Sequence, residues 1–143
     1  MTKYDAFGTV LNMGNGDGPP ETFEAVANIR SIGGPGLSLD TEDVTTHDST
    51  SAWEEVVATI LRTGEMTLGI IYDPVEGTHD ATTGLVYQLE NKLLTNYQII
   101  FPDAAATEWD FASYVTGFEP TEPHDGALTA DVKMKLSGAP TLA

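Results

Sequence analysis

Three His-Asp dipeptides, His47-Asp48, His79-Asp80 and His124-Asp125, are the residues whose types invite chemistry, because imidazole and carboxylate are the usual partners in acid/base work and at metals. The case they make is weak. Adjacent residues cannot easily chelate one ion, all three pairs fall in expected loops or at an expected helix start, and among 22 acidic residues such neighbours arise often by chance. Asp40, Glu42, Asp43 and Asp48 have the composition of a calcium loop but not its D-x-[DN]-x-[DN]-G-x5-E spacing, which leaves only weak cation binding there. GNGDG at 14–18 has the glycines of a phosphate cradle, yet no strand is expected before it, no helix after it, and no Lys ends it, so it reads as a flexible turn. No carboxylate pair stands out for glycosidase chemistry. A cysteine count of 0 removes disulfides, thiolate zinc sites and a Cys nucleophile. No catalytic residue, cofactor or metal is expected, and an enzyme is the least favoured class.

The elements that would have to position any site belong to one domain spanning 1–143, since 143 residues with 41% hydrophobic content can bury roughly 68–70% of the unfolded surface. Six Lys and Arg against 22 Asp and Glu give a formal charge of -16. Phosphate neutralisation needs clustered cations, so nucleic acid is not expected as a specific ligand, and anionic membrane surfaces are disfavoured for the same reason. The opening Met1-Thr2-Lys3-Tyr4-Asp5 lacks a basic segment followed by an apolar one, so no signal peptide is expected and synthesis in a cytoplasm is.

Residues 1–20 read as a flexible N-terminal arm, punctuated by Gly and Pro and offering only Val10, Leu11 and Met13 as apolar contacts. From 22 to 32, Phe23, Ala25, Ala27 and Ile29 alternate with Glu24, Asn28 and Arg30, with Val26 the exception, and predict a strand. A long polar loop follows over 33–50. Ser51 and Glu54 form a capping-box pattern, and Trp53, Val56, Val57, Ile60 and Leu61 then recur at helical spacing up to Gly64, predicting a helix over 52–62. Met66, Leu68, Ile70 and Tyr72 predict a strand, and Leu85, Val86, Leu89 and Leu93 a second helix over about 81–94. Strands are predicted over 96–101 and 109–117, and the alternation from Leu128 to Leu136 predicts one with a single wet face. Trp53, Val57, Ile60, Leu85, Leu89, Leu128, Val132 and Met134 are the expected core. The fold class is mainly β (α+β), an antiparallel β-sandwich or barrel with one flanking α-helix, a short second helix, a long arm and a long loop.

Five stretches in order, GTVLNMGNGDG at 8–18, FEAVANIRSIGGPGLSLDTEDVTTHDS at 23–49, AWEEVVATILRTGEMTLGIIYDP at 52–74, LVYQLENKLL with QIIFPD at 85–103, and WDFASYVTGFEPTEP at 109–123, make the chain resemble the major tail tube proteins of long, non-contractile-tailed bacteriophages. The resemblance implies an antiparallel sandwich with a flanking helix, closed into homo-hexameric rings that stack into a virion tail tube. Through it double-stranded DNA passes without specific binding. A tail-tip initiator and a tail terminator are the implied end partners, with no membrane. Under that resemblance the loop residues Pro35, Leu37, Leu39, Asp43, Thr45 and His47 and the arm residues Phe7, Val10 and Leu11 become assembly elements. Glu24, Asn28 and Asp131 become candidates for the lumen. Two alternatives remain: a tube protein of a contractile-tail or secretion system, and a small β-sandwich module binding a sugar or peptide, whose mark would be exposed aromatics such as Trp109, Phe111, Tyr114 and Phe118.

Overall fold

Period-two alternation builds most of this molecule. The computed structural model describes residues 1–16 and 20–142. Its strands are β1 (Val10–Gly14), β2 (Phe23–Ala25), β3 (Ile29–Gly33), β4 (Leu37–Asp43), β5 (Val56–Thr63), β6 (Glu65–Ile71), β7 (Thr95–Ile100), β8 (Glu108–Thr121) and β9 (Thr129–Leu142), with one helix, α1 (Leu85–Glu90), before β7. The mainly-β, antiparallel class stands. Seven strands form one sheet in the order β2-β1-β7-β8-β9-β6-β3, and β4 pairs with β5 in a separate two-stranded hairpin.

β2 and β3 lie at opposite ends of that order, yet only Val26, Ala27 and Asn28 separate them. At full extension such a link spans about 14 Å, so the sheet curls until its two edges nearly meet, and its opposite walls face one another as a sandwich. The walls enclose one core. Register puts Leu11 opposite Ile99, Met13 opposite Tyr97, Met66 opposite Met134 and Leu68 opposite Val132, and all eight are buried.

The segment between β6 and α1 plugs the gap at the edges. Thr78 and His79 are fully buried there. The Ala27 N–H donates to Thr78 Oγ1 at 3.1 Å, His79 Nε2 lies 2.7 Å from the Ala27 carbonyl, and the Asp73 N–H donates to His79 Nδ1 at 3.2 Å. With Nδ1 accepting, Nε2 is the ring nitrogen that donates to the Ala27 carbonyl. Asp80 accepts from the N–H groups of Thr82, Thr83 and Gly84, and the Thr83 bond foremost holds its carboxyl below the usual range. Of the three His-Asp pairs, His79-Asp80 is thus a structural latch. Truncating His79→Ala empties a fully buried site and takes the partner from two half-buried backbone groups, and should cost about 2–4 kcal/mol in denaturant unfolding. A cost below about 1 kcal/mol would show that the latch is dispensable.

Tyr97 is also fully buried, and its hydroxyl makes no hydrogen bond of good geometry: it lies beside the Thr95 hydroxyl, which only weakly offsets its desolvation and itself donates to Gln88 Oε1. Burial pushes the phenol far above its ordinary 10.0. Removing an orphan polar atom recovers its desolvation, so Tyr97→Phe should leave stability unchanged or raise it by up to about 1 kcal/mol. A loss of that size instead would reveal a bonded hydroxyl.

Several expectations are corrected. The predicted helix over 52–62 is the strand β5, whose Val56, Val57, Thr59, Ile60 and Thr63 are β-branched and suit a pleated strand better than a helix. Ser51 makes no cap. Trp53, Val57 and Ile60, expected in the core, are 71%, 46% and 53% exposed, and Leu128 is half-buried. The second helix shrinks to α1, because Thr82, Thr83 and Gly84 are tied to Asp80 as a turn, and Leu93 lies outside it, exposed. The strand over 22–32 breaks into β2 and β3 at Asn28, whose φ is 58°, turning Val26 inward. The long loop over 33–50 contains β4, and the arm over 1–20 contains β1, which precedes the glycine turn at 14–18, part of which lies outside the described residues.

Candidate assembly surface

A two-stranded ribbon is marginally stable alone and normally packs one face on something. The β4-β5 hairpin packs neither. Its register pairs Leu37 with Thr63, Leu39 with Leu61, Thr41 with Ala58 and Asp43 with Val56 on one face, and Ser38 with Arg62 and Glu42 with Val57 on the other. Leu37, Leu39, Val56, Val57, Ile60, Leu61 and Trp53 are all exposed, Leu61 by 81%. So much exposed apolar surface, spread over both faces of one small element, marks an interaction site. The ribbon is held by its own polar contacts: Arg62 pairs with Asp40 at 2.6 Å, the Thr59 hydroxyl donates to the Asp40 carbonyl, and the Glu55 N–H donates to Thr45 Oγ1 at 2.8 Å. The Thr45 side chain, and then its N–H at 2.8 Å, keep the Asp43 carboxyl below its usual range.

The hairpin's neck is narrow. The Gly64 N–H donates to the Gly36 carbonyl at 2.7 Å, and a Cβ on Gly36 would meet the Gly64 Cα at 3.9 Å. Pro35 is buried at this neck, unlike the exposed Leu37, Leu39, Asp43, Thr45 and His47 further out. Five of the six loop residues named from sequence therefore lie on one projecting element. β5, which carries most of its apolar surface, was missed as such; the run of β-branched residues was the signal.

The arm residues separate. Phe7 is 91% exposed, Val10 is half-buried in β1, and Leu11 is fully buried in the core, so Leu11 is no reach element. The lumen candidates separate too. Asp131 lies on the outer face of β9 with Lys133 and Lys135, where Lys135 Nζ donates to the Thr63 carbonyl and stands opposite Glu65. Glu24 is exposed at the β2 edge but pairs with Met13, on the other side of the sheet, and Asn28 belongs to the β2-β3 link. The aromatic cluster that a binding module would show does not form, because Phe111 is buried while Tyr114 faces outward, 40% exposed. Among the described residues no His, Asp and Glu group is placed to hold a metal ion, and no helix is long and apolar enough to cross a membrane.

Comparison with solved structures finds the same fold in tail assemblies. A chain in the tail of an empty gene transfer agent particle with C6 symmetry superposes with a TM-score of 0.78 at 16% identity, covering 99% of both chains. A chain of the extracellular contractile injection system PVC sheath/tube terminator gives 0.71 at 11% identity, covering 100% of this chain and 98% of that one. The SPP1 tail tube gives 0.66 at 6% identity, covering 94% and 77%. No curated protein matches the sequence. The family model for the lambda phage tail tube protein matches residues 8–143, nearly the whole chain and the whole hairpin. A sandwich with an uncovered apolar ribbon is what a repeating subunit needs, and the chain belongs to the lambda phage tail tube protein family as a structural protein of the virion tail.

Proposed function

We propose that the chain polymerises as stacked homo-hexameric rings into a tail tube that conducts double-stranded DNA, with the β4-β5 hairpin and the segment before β1 reaching neighbouring copies. The observation that carries this is the hairpin: seven large apolar residues are exposed on an element with no core of its own. The similar chain in a C6-symmetric tail supports six-fold rings. The role is mechanical, without a catalytic step, and the tube's ends meet a tail-tip initiator and a tail terminator. Electron microscopy of the purified protein, alone and seeded with tail tips, tests it: rings or tubes are expected, and monomers under both conditions would overturn it.

The charge of -16 then has a place. A basic lumen would hold DNA through counterion release, whereas an acidic one leaves it mobile. Of the three candidates only Asp131, on the outer face of β9, is kept for its lining, since Glu24 lies on the other side of the sheet and Asn28 in the β2-β3 link. Replacing Asp131 by Lys should slow DNA ejection from assembled particles at unchanged tube length. Normal ejection with altered low-salt assembly would instead assign the charge to solubility.

A further inference from the structure

At its tip the hairpin displays an aromatic side chain with carboxylates beside it, and on the body of the subunit, out of reach of that tip, lies a largely apolar cleft bordered by a cation without an ion pair. We propose that Trp53 of one copy seats in the cleft of a second copy, between the segment before β1 and the ends of β3, β7 and β8, where Arg30 meets Glu54 or Glu55. The proposal rests on the tube reading above and names the surface that receives the hairpin.

The donor is held out deliberately. Ser51 and Ala52 are consecutive left-handed residues, with φ of 54° and 59°, a conformation disfavoured for L-residues. They lead directly into Trp53, 71% exposed. The Glu55 N–H is pinned to Thr45, while the Glu54 and Glu55 carboxylates make no hydrogen bond or ion pair among the described residues.

The acceptor is a cleft of about 910 Å³, large enough for several side chains. Buried Ile99 lies in it, Phe101 and Trp109 meet edge to face at 5.3 Å, and Tyr4 and Phe7 stand exposed at its rim. Its carboxylates are already engaged: Asp103 accepts from the Thr107 N–H and hydroxyl, and Asp5 from the Phe7 N–H. Arg30 is exposed there and has no ion pair; the one pair among the described residues is Arg62 with Asp40. An aromatic anchor beside a charge-assisted contact is the composition of an interface hot spot.

The same copy cannot fill its own cleft. Gly34 lines it, but no residue from 36 to 64 does, and the tip stands about 23 Å of strand beyond the neck. A contact between two different surfaces of identical chains is head-to-tail and repeats, as a stack of rings requires.

Because the chain has no Cys, single-cysteine variants report the contact. Phe7→Cys protein is mixed with Thr50→Cys protein and oxidised, with Val75→Cys, 85% exposed elsewhere, replacing Thr50→Cys as the control. Mixed disulfide should exceed the control about tenfold. Arg30→Glu in the acceptor should remove that excess, and Glu54→Lys with Glu55→Lys in the donor should restore it. Trp53→Ala in the donor should abolish it; circular dichroism checks that each variant is folded. Mixed disulfide no greater than the control, or unaffected by Arg30→Glu, overturns the proposal. If tubes still form with hairpin dependence, only the receiving surface is wrong; if no tubes form at all, the tube reading fails as well.

Discussion

A chain in which residues 37–63 are replaced by a two-residue Gly-Ser link should fold normally and form no tubes. Gly36 and Gly64 are already hydrogen-bonded across the neck, so the short link closes a gap that the native backbone holds closed. Excision removes no residue of the enclosed core, since every apolar side chain of β4 and β5 faces solvent, and the Lys135 bond to Thr63 is a single exposed contact. The unfolding midpoint should therefore shift by no more than roughly 4 °C, about the effect of 1 kcal/mol in a domain this size. Tube formation, scored by electron microscopy and sedimentation with tail-tip seeds, should fall to background. Leu39→Lys with Leu61→Glu supplies a milder version, because opposite charges on directly facing exposed positions should leave folding within about 0.5 kcal/mol while blocking an apolar contact. Tubes of normal length from either variant would show that the hairpin is not an assembly element.

Leu11→Ala should cost about 2–5 kcal/mol and lower the unfolding midpoint by roughly 5–20 °C. Leu11 is fully buried in β1, opposite Ile99, with the Val26 N–H bonded to its carbonyl at 2.9 Å. Truncation leaves a cavity where three strands meet, and the sandwich has little freedom to collapse into it. Phe7→Ala, only four residues earlier, should change stability by less than about 0.5 kcal/mol, because its ring is 91% exposed. Chemical denaturation of the two variants side by side measures where the exposed N-terminal segment ends and the packed domain begins. Equal costs at both positions would place Phe7 in the fold and remove it from the set of surface contacts.

Local periodicity carried a great deal. The strands around Leu68, Ile99, Phe111 and Val132 were readable because alternation with a wet face is a property of neighbouring residues, and the antiparallel class followed from it. The stretch from Trp53 to Leu61 was different. Its apolar spacing also fits a helix, and only the β-branched content of Val56, Val57, Thr59 and Ile60 spoke for a strand. Spacing also made these residues look like core, since an apolar stripe says that a face is to be buried without saying against what. Likewise Leu11 and Phe7 sit in one Gly-rich segment, and nothing local distinguishes the one that completes a sheet from the one left outside. By itself the sequence determined the strand alternation, the acidic charge and the family resemblance. The tertiary structure alone decided which apolar stripes meet one another, because the curl that brings β2 to β3 and leaves β4 and β5 projecting depends on register and on the Thr78-His79 plug, contacts between residues distant in the chain.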